Sequence, residues 1–247
     1  MGGVLVWDID VAKRFEQAKG CFDLMVRFQS QSQRLVLFGP SGAGKSQTLK
    51  IIAALTRPDR GHVSLAGEVV FDDRIGINLA AQDRRLAYVF QDYALFPHLT
   101  VRQNIAFGLR LGWRNPPRDI ENEAVDRWIK AFGLEPVERR YPEQLAGGQR
   151  QRTALARALV TQPRALLLDE PFAALDRKLR QRLRNELSDL QRELGIPVLL
   201  ITHDEEDVSH FAEEVVHLED GRVVDQSAAC EMVATRCLSV PEQPLEY

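Results

Sequence analysis

Gly39-Pro40-Ser41-Gly42-Ala43-Gly44-Lys45-Ser46 is the stretch on which the reading of this 247-residue chain turns. It spells Gly-x-x-x-x-Gly-Lys-Ser, follows the apolar run Leu35-Val36-Leu37-Phe38 and precedes a helix-like stretch from Gln47 to Leu55. The context carries the inference, because such a loop binds phosphate only between a strand and a helix N-terminus. Glycines let the backbone curl until its N–H groups converge on phosphate oxygens, and the helix that starts there adds its positive dipole end. Lys45 supplies a full charge to the phosphates and the Ser46 hydroxyl is a ligand for Mg²⁺. Gly39 to Ser46, with Gln47 next in the chain, therefore predict a nucleotide-phosphate site.

A second segment completes this chemistry. Ala165-Leu166-Leu167-Leu168-Asp169-Glu170 is a four-residue apolar run ending in two carboxylates. A buried strand with Asp169 at its C-terminal end holds Mg²⁺ beside Ser46, and Glu170, one step further, polarises an attacking water. Taken alone the pair also reads as solvated acids at a strand end. Upstream, Leu145-Ala146-Gly147-Gly148-Gln149-Arg150 opens an Arg-containing helix over Gln149–Val160 with paired glycines. That is a second helix N-terminus suited to phosphate, one more than a single nucleotide needs. A head-to-tail pair of chains resolves the surplus, each presenting Gly147-Gly148 to its partner's phosphate loop. In isolation the same segment is a loop followed by a solvated helix face.

The chain carries a net charge of −3, with 45% hydrophobic and 27% charged residues, so no global field favours nucleic acid. Its longest apolar runs fall far short of the roughly 20 residues of a membrane span and read as buried parallel strands. Asp8, Asp10 and Lys13 interrupt any signal-peptide core. Cys21, Cys230 and Cys237 have neither metal-ligand nor disulfide spacing, which fits a reducing cytoplasm. His62–Leu65, Ala66-Gly67 and Glu68–Phe71 read as a hairpin, and Arg85–Phe90 as a strand. From Thr100, an N-cap, to about Leu159 the pattern is helical, broken by the 112–117 loop. Strand and helix then alternate through 165–169, 176–194, 197–202 and 204–212, ending in a hairpin at Asp220-Gly221. This order predicts an α/β core with a helical insertion.

With these segments in order, the chain resembles the ATP-binding subunit of an ABC transporter over nearly its whole length. Walker A is Gly39–Ser46, the Q-loop glutamine is Gln91, the signature is Leu145–Gln149 and Walker B is Ala165–Asp169 with catalytic Glu170. The D-loop is Ala173-Ala174-Leu175-Asp176, and the switch histidine is His203 in Ile201-Thr202-His203-Asp204. The resemblance implies a P-loop NTPase (RecA-like) core with an N-terminal antiparallel β subdomain. It places the core at 1–91 and 160–247 and the helical subdomain with the signature at 92–159. It further implies ATP and Mg²⁺ as ligands, Gln91 touching the metal and the attacking water, and His203 meeting the γ-phosphate on dimer closure. Adenine stacks on an aromatic side chain upstream of Walker A: Phe15 is the candidate and Phe22 the second, each equally readable as core.

The implied partners are a second copy of the chain, with Ala146, Gly147, Gly148, Gln149 and Asp176 reaching its nucleotide, and integral-membrane permease subunits docking near Gln91–Val101. An extracytoplasmic oxyanion-binding protein is implied indirectly, and the chain itself is expected at the cytoplasmic face of the membrane as a peripheral subunit. Ile75–Leu79, Arg84–Asp92 and Ala53–Pro58 are similar to the ATPase of molybdate importers, with sulfate and tungstate importers as alternatives. The insertion after Gln91, about fifty residues, is too short for the coiled coil of chromosome-organising relatives. A soluble nucleic-acid or ribosome factor is the rival reading, which the short insertion and net acidity argue against. A degenerate cassette that only binds ATP is another, which intact Lys45, Asp169, Glu170 and His203 argue against. Two departures stand out. No C-terminal regulatory domain of the kind many members carry is expected after Tyr247, and Ala146 stands where the resemblance implies a signature serine whose hydroxyl donates to the γ-phosphate across the dimer.

Overall fold

The computed structural model describes residues 4–17, 20–109, 114–173 and 177–229. Eleven strands form one continuous sheet. Its parallel part is built by β3 (Arg34–Phe38), β7 (Leu86–Val89), β8 (Ala165–Asp169), β9 (Val198–Thr202) and β10 (Glu214–Glu219), in the order β10-β3-β9-β8-β7. All five residues of β8 and of β9 are buried, which explains their unbroken apolar sequence: helices cover both faces of a parallel sheet. Alternate side chains enter two different cores. Leu167, Leu199 and Ile201 pack with Leu49, Ile51 and Ile52 of α1 (Lys45–Ile52). Leu166, Leu168 and Leu200 pack with residues of the helices on the opposite face.

The antiparallel part continues the same sheet through β11 (Arg222–Ala228), β2 (Gly20–Ser30), β1 (Trp7–Gln17), β4 (Arg60–Leu65), β5 (Glu68–Asp72) and β6 (Ile77–Asn78). β1 and β2 form a long hairpin in which Phe15 faces Phe22. On β2, Leu24, Val26 and Phe28 are buried and their neighbours exposed, the period of a half-solvated strand. The expected β4–β5 hairpin is present, with Leu65 opposite Glu68.

Between β7 and β8 lie α2 (Val101–Phe107), α3 (Glu123–Ala131) and α4 (Gly147–Leu159). Thr100 caps α2 as its sequence foretells, its hydroxyl accepting from Gln103 N–H while Gln103 accepts from Thr100 N–H. α5 (Arg177–Leu194) and α6 (Glu205–Phe211) follow β8 and β9. The fold is thus the expected α/β core with an antiparallel β layer and an inserted helical segment. Several boundaries move, three of them next to the residues singled out by the sequence. The helix after the phosphate loop occupies Lys45–Ile52 rather than Gln47–Leu55, because Ala54 turns left-handed and Leu55 N–H closes on Lys50 O. The signature helix starts at Gly147, two residues before the expected Gln149, so the glycine N–H groups lie in its first turn. Strand β7 starts after Arg85, which is left-handed. Among the described residues no helix is long and apolar enough to cross a membrane.

Candidate nucleotide site

The loop from Gly39 to Gly44 leaves the end of β3 and delivers Lys45 and Ser46 to the first turn of α1. Two of its glycines are required by packing. A Cβ on Gly39, at φ +155°, would lie 2.1 Å from the Leu218 carbonyl oxygen. One on Gly44, the left-handed N-cap of α1, would lie 2.5 Å from Leu24 Cδ1 and 3.2 Å from Phe22. The phosphate loop is therefore pressed against both the core sheet and the β1–β2 hairpin.

A cleft of about 550 Å³ opens over this loop. It is bordered by Phe15 and Phe22 at one end, Ser41 to Gln47 along the loop, and Gln91 and Glu170 at the other. Ala43 is buried behind the loop, and Gly39 and Pro40 contribute carbonyls that accept from Lys45 Nζ at 2.7 and 2.8 Å. Burial pushes the Lys45 ammonium below its ordinary pKa, against the opposing pull of Glu170 and Asp169. An anion arriving in the cleft would supply the missing countercharge.

Strand parity delivers the carboxylates. Asp169 shares the α1 face with Leu167, so it emerges beside Ser46, whose hydroxyl donates to Asp169 Oδ1 at 2.8 Å. Tyr88 lies opposite Leu167 on β7 and donates its hydroxyl to Asp169 Oδ2 at 2.7 Å. Both carboxylate oxygens are thus occupied, and burial together with Asp169 raises the Tyr88 phenol far above its ordinary value. Glu170 should face away by the same parity. Instead it adopts a left-handed backbone, φ 46°, with its N–H on Ile201 O at 3.1 Å. The turn brings its carboxylate to Gln91 Nε2 at 3.4 Å and His203 Nδ1 at 3.3 Å. A non-glycine residue held left-handed stores strain of the order of 1–3 kcal/mol, and such residues cluster at functional sites.

The sequence-named residues Lys45, Ser46, Gln91, Asp169, Glu170 and His203 therefore form one contiguous constellation. Hydroxyl, carboxylate and amide oxygens beside Ser46 are a hard-donor set that fits Mg²⁺. Phe15 and Phe22 both reach the cleft, ring centroids 6.3 Å apart, and Lys13 Nζ sits 5.6 Å from the Phe15 centroid. Phe22 lies beside Gly44, and both rings are partly buried against the core. Ala146, Gly147, Gly148 and Gln149 do not border this cleft. Gln149 Oε1 accepts from Ala146 N–H at 3.0 Å, half of a capping box whose other half Ala146 has no oxygen to supply. Asp176 lies outside the described residues. Tyr88 was missed as a site residue; its place opposite Leu167 shows only in the β7–β8 register.

Beside the cleft, Tyr93 and Ala94 are both left-handed, and Arg157 of α4 donates to their carbonyls at 2.8 and 2.7 Å. Asn104 wraps the following turn, donating to the Phe96, Leu99 and Thr100 carbonyls. An open apolar groove of about 400 Å³, bordered by Phe90, Ala94, Phe96 and Phe107, runs along this segment.

Comparison with known proteins agrees with this geometry. Residues 26–173 match the profile of the family described as ABC transporter. The chain is 42% identical over 226 residues, 90% of its length and 91% of the relative's, to a probable sulfate/thiosulfate import ATP-binding protein CysA of Chlorella vulgaris. It is 43% identical over 213 residues to the sulfate/thiosulfate import ATP-binding protein CysA of Synechococcus elongatus. It is 40% identical over 221 residues to the trehalose/maltose import ATP-binding protein MalK of Thermococcus litoralis. Its aligned part spans only 59% and 58% of those last two proteins. Among solved structures, the dimeric post-hydrolysis ATP-binding cassette MJ0796 bound to ADP and Pi superposes with a TM-score of 0.74 at 30% identity, covering 90% of this chain and 98% of that one. The chain belongs to the ABC transporter family and is an ATPase that takes ATP with Mg²⁺.

Proposed function

We propose that this chain is the ATP-hydrolysing subunit of an importer for an oxyanion, with sulfate or thiosulfate as the favoured cargo. The observation that carries the ATPase half is the constellation in which Lys45, Ser46, Gln91 and Glu170 border one cleft, with Asp169 bonded to Ser46 and His203 beside Glu170. Glu170 takes a proton from the attacking water, Gln91 orients that water, and Lys45 and His203 stabilise charge on the γ-phosphate. Ser46 and Asp169, with Gln91 nearby, would hold Mg²⁺, which would supply positive charge beside the phosphates. The adenine stacks on Phe15. Two chains close head to tail, each bringing Ala146–Gln149 and Asp176 to the nucleotide of the other. The distance of the signature from the cleft within one chain and the dimeric state of MJ0796 both support that arrangement. The permease partner docks near Gln91–Val101, where Ala94 and Phe96 border the apolar groove, and such a partner would hold the chain at the cytoplasmic face of a membrane.

The cargo reading moves away from molybdate. The CysA relatives named above import sulfate and thiosulfate, which favours the sulfate alternative. The trehalose/maltose relative, at 40% identity, is nearly as similar as the CysA relatives at 42% and 43%, so identity separates these cargoes by a narrow margin. Labelled sulfate uptake in cells lacking the chain, complemented with wild type or Lys45→Ala, tests the reading, with thiosulfate, molybdate and tungstate as competitors. Uptake restored by wild type alone supports it. Restoration by both genes overturns the ATP-driven role, and molybdate as the strongest competitor returns the cargo to the molybdate reading.

A further inference from the structure

His203 is more than half exposed, with a relative side-chain exposure of 57%, yet the residues on either side of it are fastened from below. Thr202, at the end of β9, donates its hydroxyl to Asp207 Oδ2 at 2.5 Å and accepts from Asp204 N–H at 3.0 Å. Asp204 caps α6 through Glu206 N–H, and its other oxygen accepts from Arg180 at 2.7 Å and Arg184 at 3.1 Å. Arg184, on α5, is 5% exposed and faces three carboxylates: Asp207 at 2.5 Å, Glu206 at 2.8 Å and Asp204 at 3.1 Å. Burial alone would lower its pKa, but the three acids outweigh burial and raise it.

A buried ion cluster is a poor source of stability, because desolvation offsets its Coulomb energy and apolar isosteres often serve as well. What it does supply is geometry. The planar guanidinium has one arrangement that meets three acceptors on a single helical turn. That turn begins one residue after His203. A cavity of about 40 Å³ bordered by Glu170, Arg180, Thr202, His203 and Asp207 gives the segment room to relax once the fastening is released.

We propose that Arg184, acting through Asp207, Thr202 and Asp204, is a positioning residue that sets the approach of His203 to Glu170 and the γ-phosphate. The proposal rests on the reading of His203 given above. It assigns a catalytic consequence to a guanidinium on α5 that does not border the nucleotide cleft.

The test separates geometry from stability. Arg184→Met/Asp207→Leu removes the buried charges together, and Thr202→Val removes only the hydroxyl that links Asp207 to the residue before His203. Melting temperature, kcat and KM for ATP are measured for both, and for His203→Ala alone and in combination. The double variant is expected to melt within about 5 °C of wild type. Its kcat should fall about tenfold or more with KM changed less than about threefold, and Thr202→Val should show the same split. Adding His203→Ala should then cost little further, because both changes act through one side chain. Wild-type kcat in either network variant overturns the proposal, as does a loss that multiplies with that of His203→Ala. A His203→Ala variant with wild-type kcat overturns the reading of His203 itself.

Discussion

Removing one hydroxyl from Tyr88 should change how the protein uses Mg²⁺ without unfolding it. Tyr88 donates to Asp169 Oδ2 at 2.7 Å while Ser46 donates to Oδ1 at 2.8 Å, so the phenol sets which oxygen is turned toward the phosphate loop. Tyr88→Phe keeps the ring, including its contact with Phe90 at 4.4 Å, and the packing of β7. A hydrogen bond to a charged acceptor is worth about 1.5–3 kcal/mol, or about ten- to 150-fold in an equilibrium constant. Asp169 is buried and neither it nor Tyr88 borders the cleft, so water replaces the phenol poorly and at least the lower end, about tenfold, is expected. Half-saturation by Mg²⁺ should rise by that factor in an ATPase titration at saturating ATP, and in a titration of fluorescent-nucleotide binding that needs no turnover. A melting curve without nucleotide guards against a general loss of fold. Unchanged Mg²⁺ dependence in both titrations would refute the reasoning and leave Tyr88 as a packing residue with a satisfied hydroxyl.

Four further outcomes are expected. Glu170→Gln should trap a closed, ATP-bound dimer, visible as a doubled mass by light scattering with ATP and Mg²⁺; hydrolysis near the wild-type rate would give Glu170 the wrong role. Ala146→Ser should act twice, capping α4 for about 1 kcal/mol and donating across the dimer; it should raise the melting temperature and lower KM or raise turnover, and no change in these kinetics would dismiss the cross-dimer bond. Phe15→Ala should weaken nucleotide binding by about 1–3 kcal/mol in a calorimetric titration, more than Phe22→Ala does; the reverse ranking would move the adenine to Phe22. Asp204 should show in the acid limb of the stability curve. Burial pushes its pKa up, but the Glu206 N–H, Arg184 and Arg180 outweigh burial and hold it below its ordinary 3.8. The stability it contributes is complete above 3.8 and lost as pH falls through the native value. Asp204→Asn should therefore cost stability at neutral pH and little at strongly acid pH, and an equal loss at both would mean that charge is not the cause.

Much of the site was legible because its chemistry is local. A strand, a glycine loop and a helix N-terminus are neighbours in the chain, so Gly39–Ser46 announces a phosphate cradle without tertiary information. The same holds for Asp169 and Glu170 at the end of an apolar run, and for Thr100 with Gln103, a cap made within one turn. Boundaries drifted where a single backbone conformation decides them, as at Ala54 and Arg85, because a left-handed alanine or arginine has no sequence mark.

Other features depend on residues far apart in the chain. The phenol of Tyr88 meets Asp169 only because β7 and β8 run parallel in a register that puts residues 81 positions apart on one face. Phe15 and Phe22 reach the phosphate loop because the β1–β2 hairpin folds over Gly44, a contact no local pattern encodes. Helices α5 and α6 must pack before Arg184 can meet Asp204 and Asp207, and before that its sequence reads as one more charge on an amphipathic helix. The sequence alone determined that this chain grips phosphate, since that requires backbone N–H groups and charges presented by one continuous segment. Only the tertiary structure decided how the metal-side carboxylate, the water-side carboxylate and the histidine are aimed, since each is set by hydrogen bonds from elements distant in sequence.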